Sequence, residues 1–305
     1  MQSVADRKKG HSQMIQDIFP HRFYNTYQQK RPEDNSRILG FCDRMVYLSD
    51  QDGIRFLTFQ EWKSYNQRIG KGMPPLVYLF TIEEEDYFLT DINKEDKIGD
   101  FRFYKMFDIR PMQPKEAVFA ATTAFHLYQW YRDNQFCGRC GKKLIHSEKL
   151  RMMQCPCCAN MVFPKIAPAV IVGVTHGDRI LMTKYAGREY KRYALIAGFT
   201  EIGETVEETV QREVMEEVGL KVKKIRYYKS QPWGFDSNLL LGFFCELADE
   251  HEICLDREEL SLAEWVDYHD ILDDPEKLSL THNMMEYFRD QKKAGVWNID
   301  AVSQR

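Results

Sequence analysis

The stretch "REVMEEVG", residues 212–219, crowds Glu213, Glu216 and Glu217 together, interleaved with Val214, Met215 and Val218. Thr205 followed by Glu208 is a capping box, and Gly219 followed by Leu220 is a stop, so the spacing predicts a helix over 206–218. Glu207 and Glu208 fall in its first turn, where the helix dipole favours acid. Glu213, Glu216 and Glu217 fall in its second half, where the dipole disfavours acid. Glu213 and Glu217 also form a like-charged i, i+4 pair, which costs a few tenths of a kcal/mol. Val206, Val210, Val214 and Val218 mark the buried stripe. At 3.6 residues per turn, Glu213 and Glu217 project at one edge of it and Glu216 lies farther around the same side. They are expected to face a crevice. Clustered carboxylates there need a counter-charge, and hard divalent cations take oxygen ligands. Arg212 can orient one carboxylate but cannot neutralise three.

A second constellation is made of sulfur. "CGRC" contributes Cys137 and Cys140, and "CPCC" contributes Cys155, Cys157 and Cys158. Two C-x-x-C pairs at this separation match a four-cysteine zinc site. Either Cys157 or Cys158 completes the set, and the even C-x-x-C bite favours Cys158. Four protein ligands leave no open position, so this Zn²⁺ is expected to be structural. Thioredoxin-like redox motifs come instead as one pair near a βαβ unit. Zinc ribbons also bind nucleic acids, so the ribbon alone does not define a function.

The 23 residues from Gly198 to Leu220, "GFTEIGETVEETVQREVMEEVGL", resemble a complete Nudix box. Gly198, Glu204, Arg212-Glu213-Val214, Glu216-Glu217 and Gly219-Leu220 stand at its fixed positions. The resemblance implies an α+β protein with the Nudix fold, a mixed β-sheet between α-helices. It implies metal-assisted hydrolysis, with Mg²⁺ or Mn²⁺, of a nucleoside diphosphate linked to another group. It gives Glu213 and Glu217 as metal ligands, and Glu216 as a further ligand or the activator of water. The Ala197 carbonyl reaches a metal as well. Gly198, Glu204, Arg212 and Gly219 support the loop.

Beyond the box, "SQPWGFDSN", residues 230–238, resembles the Ser-Gln-Pro-Trp-Pro-Phe-Pro-x-Ser signature of the NADH pyrophosphatase subfamily, which also decaps NAD-capped RNA. Ser230, Gln231, Pro232, Trp233 and Phe235 match. Gly234, Asp236 and Asn238 depart, and losing two prolines is expected to loosen the loop and bear on substrate preference. A zinc ribbon directly before the Nudix domain and a separate N-terminal domain also match, so the resemblance covers nearly the whole chain. It implies a homodimer that cleaves NADH or NAD⁺ to AMP and nicotinamide mononucleotide. In that reading Phe199 and Trp233 clamp a base, the tryptophan across the dimer interface. Ser230, Gln231, Phe163, Ile171 and Thr281 are further substrate-binding candidates. "REELSLAEW" offers Glu258 or Glu259 as another metal ligand, and Glu259, directly before Leu260, matches better. The alternatives are a pyrophosphatase for another dinucleotide or ADP-ribose, and a non-catalytic zinc-ribbon module that binds nucleic acid.

The elements that must position these residues follow from the rest of the pattern. Short aromatic and β-branched runs before residue 112 predict a strand-rich domain over 1–112, after a weakly ordered lead-in to about residue 20. Residues 113–135 predict a linker helix opened by Pro114, with His126 assigned no role. The ribbon spans 136–165 and the Nudix domain 166–305. There "PAVIVGV" and "RILMTKY" form a hairpin through "THGD", followed by strands in "RYALIAG", "KVKKIRYY", "NLLLGFFCELA" and "AEWVDY". "LSLTHNMMEYFRDQKKAG" predicts a closing amphipathic helix. Cys42, Cys245 and Cys254 are expected in the core. A formal net charge of −4 argues against a protein built mainly to grip nucleic acid, leaving room for a local basic patch. "MQSVADRKKG" has no apolar core of a secretory signal, and no apolar run is long enough to span a bilayer. A cytoplasmic protein with reduced cysteines and no membrane partner is expected.

Overall fold

The computed structural model describes residues 14–187, 191–249 and 251–304. Most of the expected lead-in lies outside the described residues. Its end does not behave as a loose tail, because Met14, Ile15 and Ile18 are buried and the Ile15 N–H donates to the Leu278 carbonyl at 2.9 Å. The chain divides into two compact units. One is Gln16–Ile166 with Trp233–Ser237; the other is Ala167–Pro232 with the segment ending at Ile15 and everything from Asn238 onward.

The first unit opens with β1 (Phe23–Tyr24), β2 (Arg37–Leu39), β3 (Phe41–Cys42), β4 (Met45–Leu48) and β5 (Leu57–Thr58), then α1 (Phe59–Arg68). It continues with β6 (Val77–Ile82), β7 (Glu85–Leu89) and β8 (Arg102–Lys105). β1-β6-β7-β2-β5 form one sheet and β3-β4-β8 another. Trp62 of α1 is buried with Tyr47, Leu57 and Phe88. Helix α2 (Lys115–Asp133) is buried along most of its length, so it is a core element of this unit. Pro114 stands just ahead of it as the extended N-cap. The ribbon strands β9 (Ile145–His146), β10 (Met153–Gln154) and β11 (Met161–Val162) form a three-stranded sheet in the order β11-β10-β9. The ribbon borrows Trp130 of α2, which packs with Cys137, Leu144, Met153 and Cys155.

The second unit holds β12 (Ala167–His176), β13 (Arg179–Tyr185), β14 (Ile196–Phe199), α3 (Val206–Val218), β15 (Val222–Trp233), β16 (Asn238–Leu247), β17 (Leu260–Asp267) and α4 (Leu280–Lys293). The path β15-β16-β12-β13-β17, with β14 also on β12, makes a six-stranded sheet. The sheet is mixed: β12 runs parallel to β16 and antiparallel to β14, and the β12–β13 hairpin turns through Gly177. Successive side chains of a strand point to opposite faces. Val170, Val172 and Val174 of β12 and Phe243 of β16 therefore pack with Val210, Val214 and Val218 of α3. Phe244, one residue on, turns to the other face and meets Tyr287 of α4 and Trp297. The valines are fully buried, and each contributes roughly 1.5–3 kcal/mol by leaving water. Of the three cysteines expected in the core, only Cys245 is buried. Cys42 is half-buried and Cys254 is exposed, in a stretch that forms no strand. No helix among the described residues is long and apolar enough to cross a membrane.

Helix α3 starts and stops where its local signals place it. Thr205 Oγ accepts from the Glu208 N–H, the Glu208 carboxylate accepts from the Thr205 N–H, and Gly219 closes the end in the left-handed conformation. Thr205→Ala is expected to cost about 1 kcal/mol, read as a lower denaturant midpoint with an unchanged unfolding slope.

Candidate active site

Strand β14 delivers Ala197, Gly198 and Phe199 against the flank of α3. Gly198 is there for room: a Cβ on it would lie 1.9–2.2 Å from the carboxylate atoms of Glu213. The glutamate occupies the volume that any other residue's side chain would take. Ala197 pairs in register with Ile171 of β12.

Arg212 organises the loop that follows. Its Nε and Nη2 grip both oxygens of Glu204 at 2.8 and 3.0 Å, a bidentate pair. Nη2 also donates to the Phe199 carbonyl at 2.9 Å, and Nη1 to Glu213 at 2.7 Å and Glu216 at 2.9 Å. Arg212 thus touches three carboxylates, not the single one expected. Glu204 accepts further bonds from the Glu201 N–H and the Thr209 hydroxyl. Chiefly through Arg212, its carboxyl is held down at about 2.

The three box carboxylates are not equivalent. Glu213 and Glu217 are 8% and 3% exposed, whereas Glu216 faces solvent. Burial raises the Glu213 carboxyl, Arg212 opposes this, and the charges of Glu216 and Glu259 push with burial. Glu259 therefore stands within electrostatic reach of Glu213, though it comes from the chain just ahead of β17. Its carbonyl is fixed by the Ala186 N–H at 2.8 Å. Its exposed neighbour Glu258 donates its N–H to Asp256.

The donor chemistry here fits a hard divalent cation, because carboxylates taken out of water need a compensating charge. The oxygens are not preassembled around one point. Among the described residues, the one group of three or more ligand atoms lying within 4.8 Å of one another is Cys137, Cys140, Cys155 and Cys158. Cys137 and Cys158 sulfurs are 3.6 Å apart and those of Cys140 and Cys155 3.4 Å. Zn–S bonds of about 2.3 Å in a tetrahedron require sulfurs about 3.8 Å apart. Backbone N–H groups of Arg139 and Cys140 lower the Cys137 thiol to about 6, favouring the ligating thiolate. Cys157 is exposed and outside the group, and Cys158 completes the four-cysteine cluster.

The substrate candidates separate. Phe199 is more than half exposed, with a face available for stacking. Ser230 is half-buried on β15, and Thr281 is half-buried in the first turn of α4. Gln231 is fully buried, its amide donates to the Leu278 carbonyl at 2.9 Å, and its oxygen accepts from the Leu280 N–H at 2.7 Å, tying β15 to the start of α4. Ile171 is likewise buried in the sheet.

Trp233 and Phe163 belong to the first unit, where Phe163 is exposed. Trp233 is half-buried, 4.9 Å from Phe235 and 5.5 Å from the Arg110 guanidinium. The loop around it is not loosened by its departures. A Cβ on Gly234 would sit 2.4 Å from the Thr122 carbonyl of α2, so the residue fits by being small. Arg44 donates to the Phe235 carbonyl at 2.9 Å and pairs with Asp236 at 3.0 Å.

One polar cluster had no signal in the sequence. Asp274 is buried, pairs with Arg192 at 3.3 Å, and donates its backbone N–H to the Glu286 carboxylate at 2.7 Å. His282 lies 3.7 Å from it and bonds Ser279, the N-cap of α4. Asp274, Ser279, His282 and Glu286 lie in one short stretch at the start of α4, and Arg192 joins them from far away in sequence.

Two outcomes test this geometry. Cys158→Ser is expected to lose zinc while Cys157→Ser keeps it, measured by metal analysis after gel filtration. Gly198→Ala is expected to displace the Glu213 carboxylate and lower hydrolytic kcat/KM by about 100-fold or more, the scale of an ångström-sized misplacement. Wild-type activity would show that the close approach is not required.

The NUDIX domain family matches residues 165–288, and the family described as NADH pyrophosphatase zinc ribbon domain matches residues 132–163. The chain is 35% identical over 187 residues to the NAD-capped RNA hydrolase NudC of Escherichia coli O1:K1 / APEC, covering 61% of this chain and 70% of that one. It is 40% identical over 151 residues to the NAD-capped RNA hydrolase NudC of Klebsiella pneumoniae subsp. pneumoniae, covering 50% of this chain and 58% of that relative. A NUDIX hydrolase from Nitrosomonas europaea superposes with a TM-score of 0.46 at 22% identity, over 53% of this chain and 93% of that one. With its box carboxylates on α3 and a four-cysteine ribbon ahead of the mixed sheet, the chain belongs to the Nudix hydrolases that carry an NADH pyrophosphatase zinc ribbon.

Proposed function

We propose that this enzyme hydrolyses the pyrophosphate bond of NADH or NAD⁺, giving AMP and nicotinamide mononucleotide, and that it removes NAD caps from RNA 5′ ends by cleaving the same bond. The observation that carries the reading is the pair of buried carboxylates on α3, Glu213 and Glu217, the first seated against Gly198 of β14, in a chain that also holds the zinc ribbon. The names of the Escherichia coli and Klebsiella relatives supply the substrate class.

Glu213, Glu217 and Glu259, with the Ala197 carbonyl, are the groups to hold Mg²⁺ or Mn²⁺. When bound, such an ion neutralises the pyrophosphate and lowers the pKa of the attacking water. Water oxygen attacks phosphorus, the bridging P–O bond breaks, and the water's proton passes to a carboxylate. Glu216 suits that role because it is solvent-exposed and held only through Arg212. Arg212 and Glu204 fix the loop, and Phe199 offers a face to a flat base. Following the resemblance, the working form is a cytoplasmic homodimer.

Turnover of NADH, NAD⁺, NAD-capped RNA and ADP-ribose with Mg²⁺ or Mn²⁺ tests the reading. The first three should be cleaved, with ADP-ribose slower; if all four stay intact, the hydrolytic assignment fails. Glu217→Gln should keep the circular dichroism of the wild type and lower kcat at least about 100-fold, as loss of one strong transition-state contact does. An unchanged kcat would remove Glu217 from the site.

A further inference from the structure

A cavity of about 400 Å³ lies in the Nudix unit, away from the box carboxylates. It opens where the parallel strands β12 and β16 end together, with Thr175 in register with Glu246. Thr175 stands four residues along β12 from Ile171, the partner of Ala197, a separation of about 13 Å. The cavity also uses the other face of the sheet. Val172 and Val174 of β12 and Cys245 and Leu247 of β16 pack with α3, so Thr175 and Glu246 point away from it. On that far side Trp297 and the α4 residue Lys292 close the cavity, and Lys223 of β15 borders it. The proposed hydrolysis makes no use of this space, and its volume falls within the range of about 300–1,000 Å³ that takes small molecules.

The polar groups of the cavity fall into two sets. Glu246 pairs with Lys224 at 3.1 Å and Lys292 with Asp178 at 3.0 Å, so these charges answer one another. Lys223 and Asp249 are exposed at the rim, and neither makes an ion pair among the described residues. The Lys223 ammonium donates to the carbonyl of Ala248, another rim residue, at 3.3 Å. Trp297 is half-buried and held edge to face by Phe244 at 5.2 Å and Phe288 at 4.8 Å. Its indole N–H makes no hydrogen bond among the described residues, although a tryptophan packed in this way ordinarily finds a partner. One open cation, one open carboxylate and one fixed indole with a spare donor therefore meet at a single cavity.

We propose that this cavity is a second, non-catalytic site for a purine nucleoside monophosphate. The phosphate takes Lys223, the flat base lies against Trp297 with a ring nitrogen accepting the indole N–H, and the exocyclic amine donates to Asp249. An aromatic side chain with a polar handle suits a flat, hydrogen-bonding base. A free phosphate fits less well, because Asp249 repels it and Trp297 is left unused. That the occupant is AMP released by the enzyme itself rests on the proposed function; binding at this site does not.

The test is isothermal titration calorimetry of the zinc-loaded full chain with AMP, adenosine and inorganic phosphate, in the absence of Mg²⁺ and Mn²⁺. AMP should bind, and adenosine and phosphate should each bind at least about ten-fold more weakly, the scale of one charge-assisted hydrogen bond. Lys223→Glu should weaken AMP by a similar factor while zinc content and NADH turnover stay at wild-type values. Trp297→Phe should weaken AMP about five-fold, the scale of one neutral hydrogen bond, with wild-type circular dichroism. Phe199→Ala should leave this AMP affinity unchanged. The proposal is overturned if AMP does not bind, or if Lys223→Glu and Trp297→Phe bind it as the wild type does. It is also overturned if Phe199→Ala alone abolishes binding, which would put AMP in the hydrolytic site, or if phosphate binds as tightly as AMP, marking an anion contact only. AMP binding that responds to Lys223 in a chain that cleaves neither NADH nor NAD⁺ would leave the inference standing and defeat the hydrolytic reading; cleavage with AMP affinity indifferent to Lys223 would do the reverse.

Discussion

The catalytic unit depends on one spatial concession, the missing side chain at Gly198. With a Cβ there, the Glu213 carboxylate would have no seat. Seated, it lies beside Arg212, and Arg212 then spends its remaining donors on Glu204, Glu216 and the Phe199 carbonyl. The loop from β14 to α3, the helix and the strand are thereby held through one guanidinium. The valine stripe of α3 makes this rigid, because the face beside the carboxylates is locked into the sheet. Acid buried without adequate counter-charge costs stability, so the arrangement trades stability for a strong demand on a cation.

Much of this was legible locally. The α3 boundaries follow from Thr205, Glu208 and Gly219, because caps act within a turn of the residues they cap. The four zinc ligands follow from C-x-x-C geometry, which is also local. What the sequence hid was set by distant partners. Nothing around Gln231 in the sequence shows that two backbone groups near α4 bind its side chain. Losing prolines near Trp233 reads as added freedom, but Arg44 and the Thr122 carbonyl restrict that loop from far away in sequence. Cys254 reads as core from its apolar neighbours and lies outside any strand. The Asp274–His282 cluster has no motif, since Arg192, which pairs with Asp274, lies far away in sequence.

Charge is similarly uneven. A mildly acidic chain conceals a ribbon with five exposed cations that make no ion pair among the described residues, which averaging over 305 residues erases. The ribbon's inward face needs Trp130 to complete its packing, which leaves the outward face with no task inside its own unit.

The short excursion Trp233–Ser237 has a consequence for how this chain can be divided. The backbone leaves the Nudix sheet after Pro232, spends five residues packed in the ribbon-bearing unit, and returns at Asn238 to build β16. Cutting the chain before Ala167 would keep every box residue and every strand of the mixed sheet, yet leave Gly234 and Phe235 without Thr122 and Arg44. The segment nearest the altered signature would then be shaped by solvent. A minimal Nudix fragment of this protein would keep the box residues while losing the surroundings that set Trp233, so a cut that linear domain boundaries would call harmless strips the signature loop of its packing.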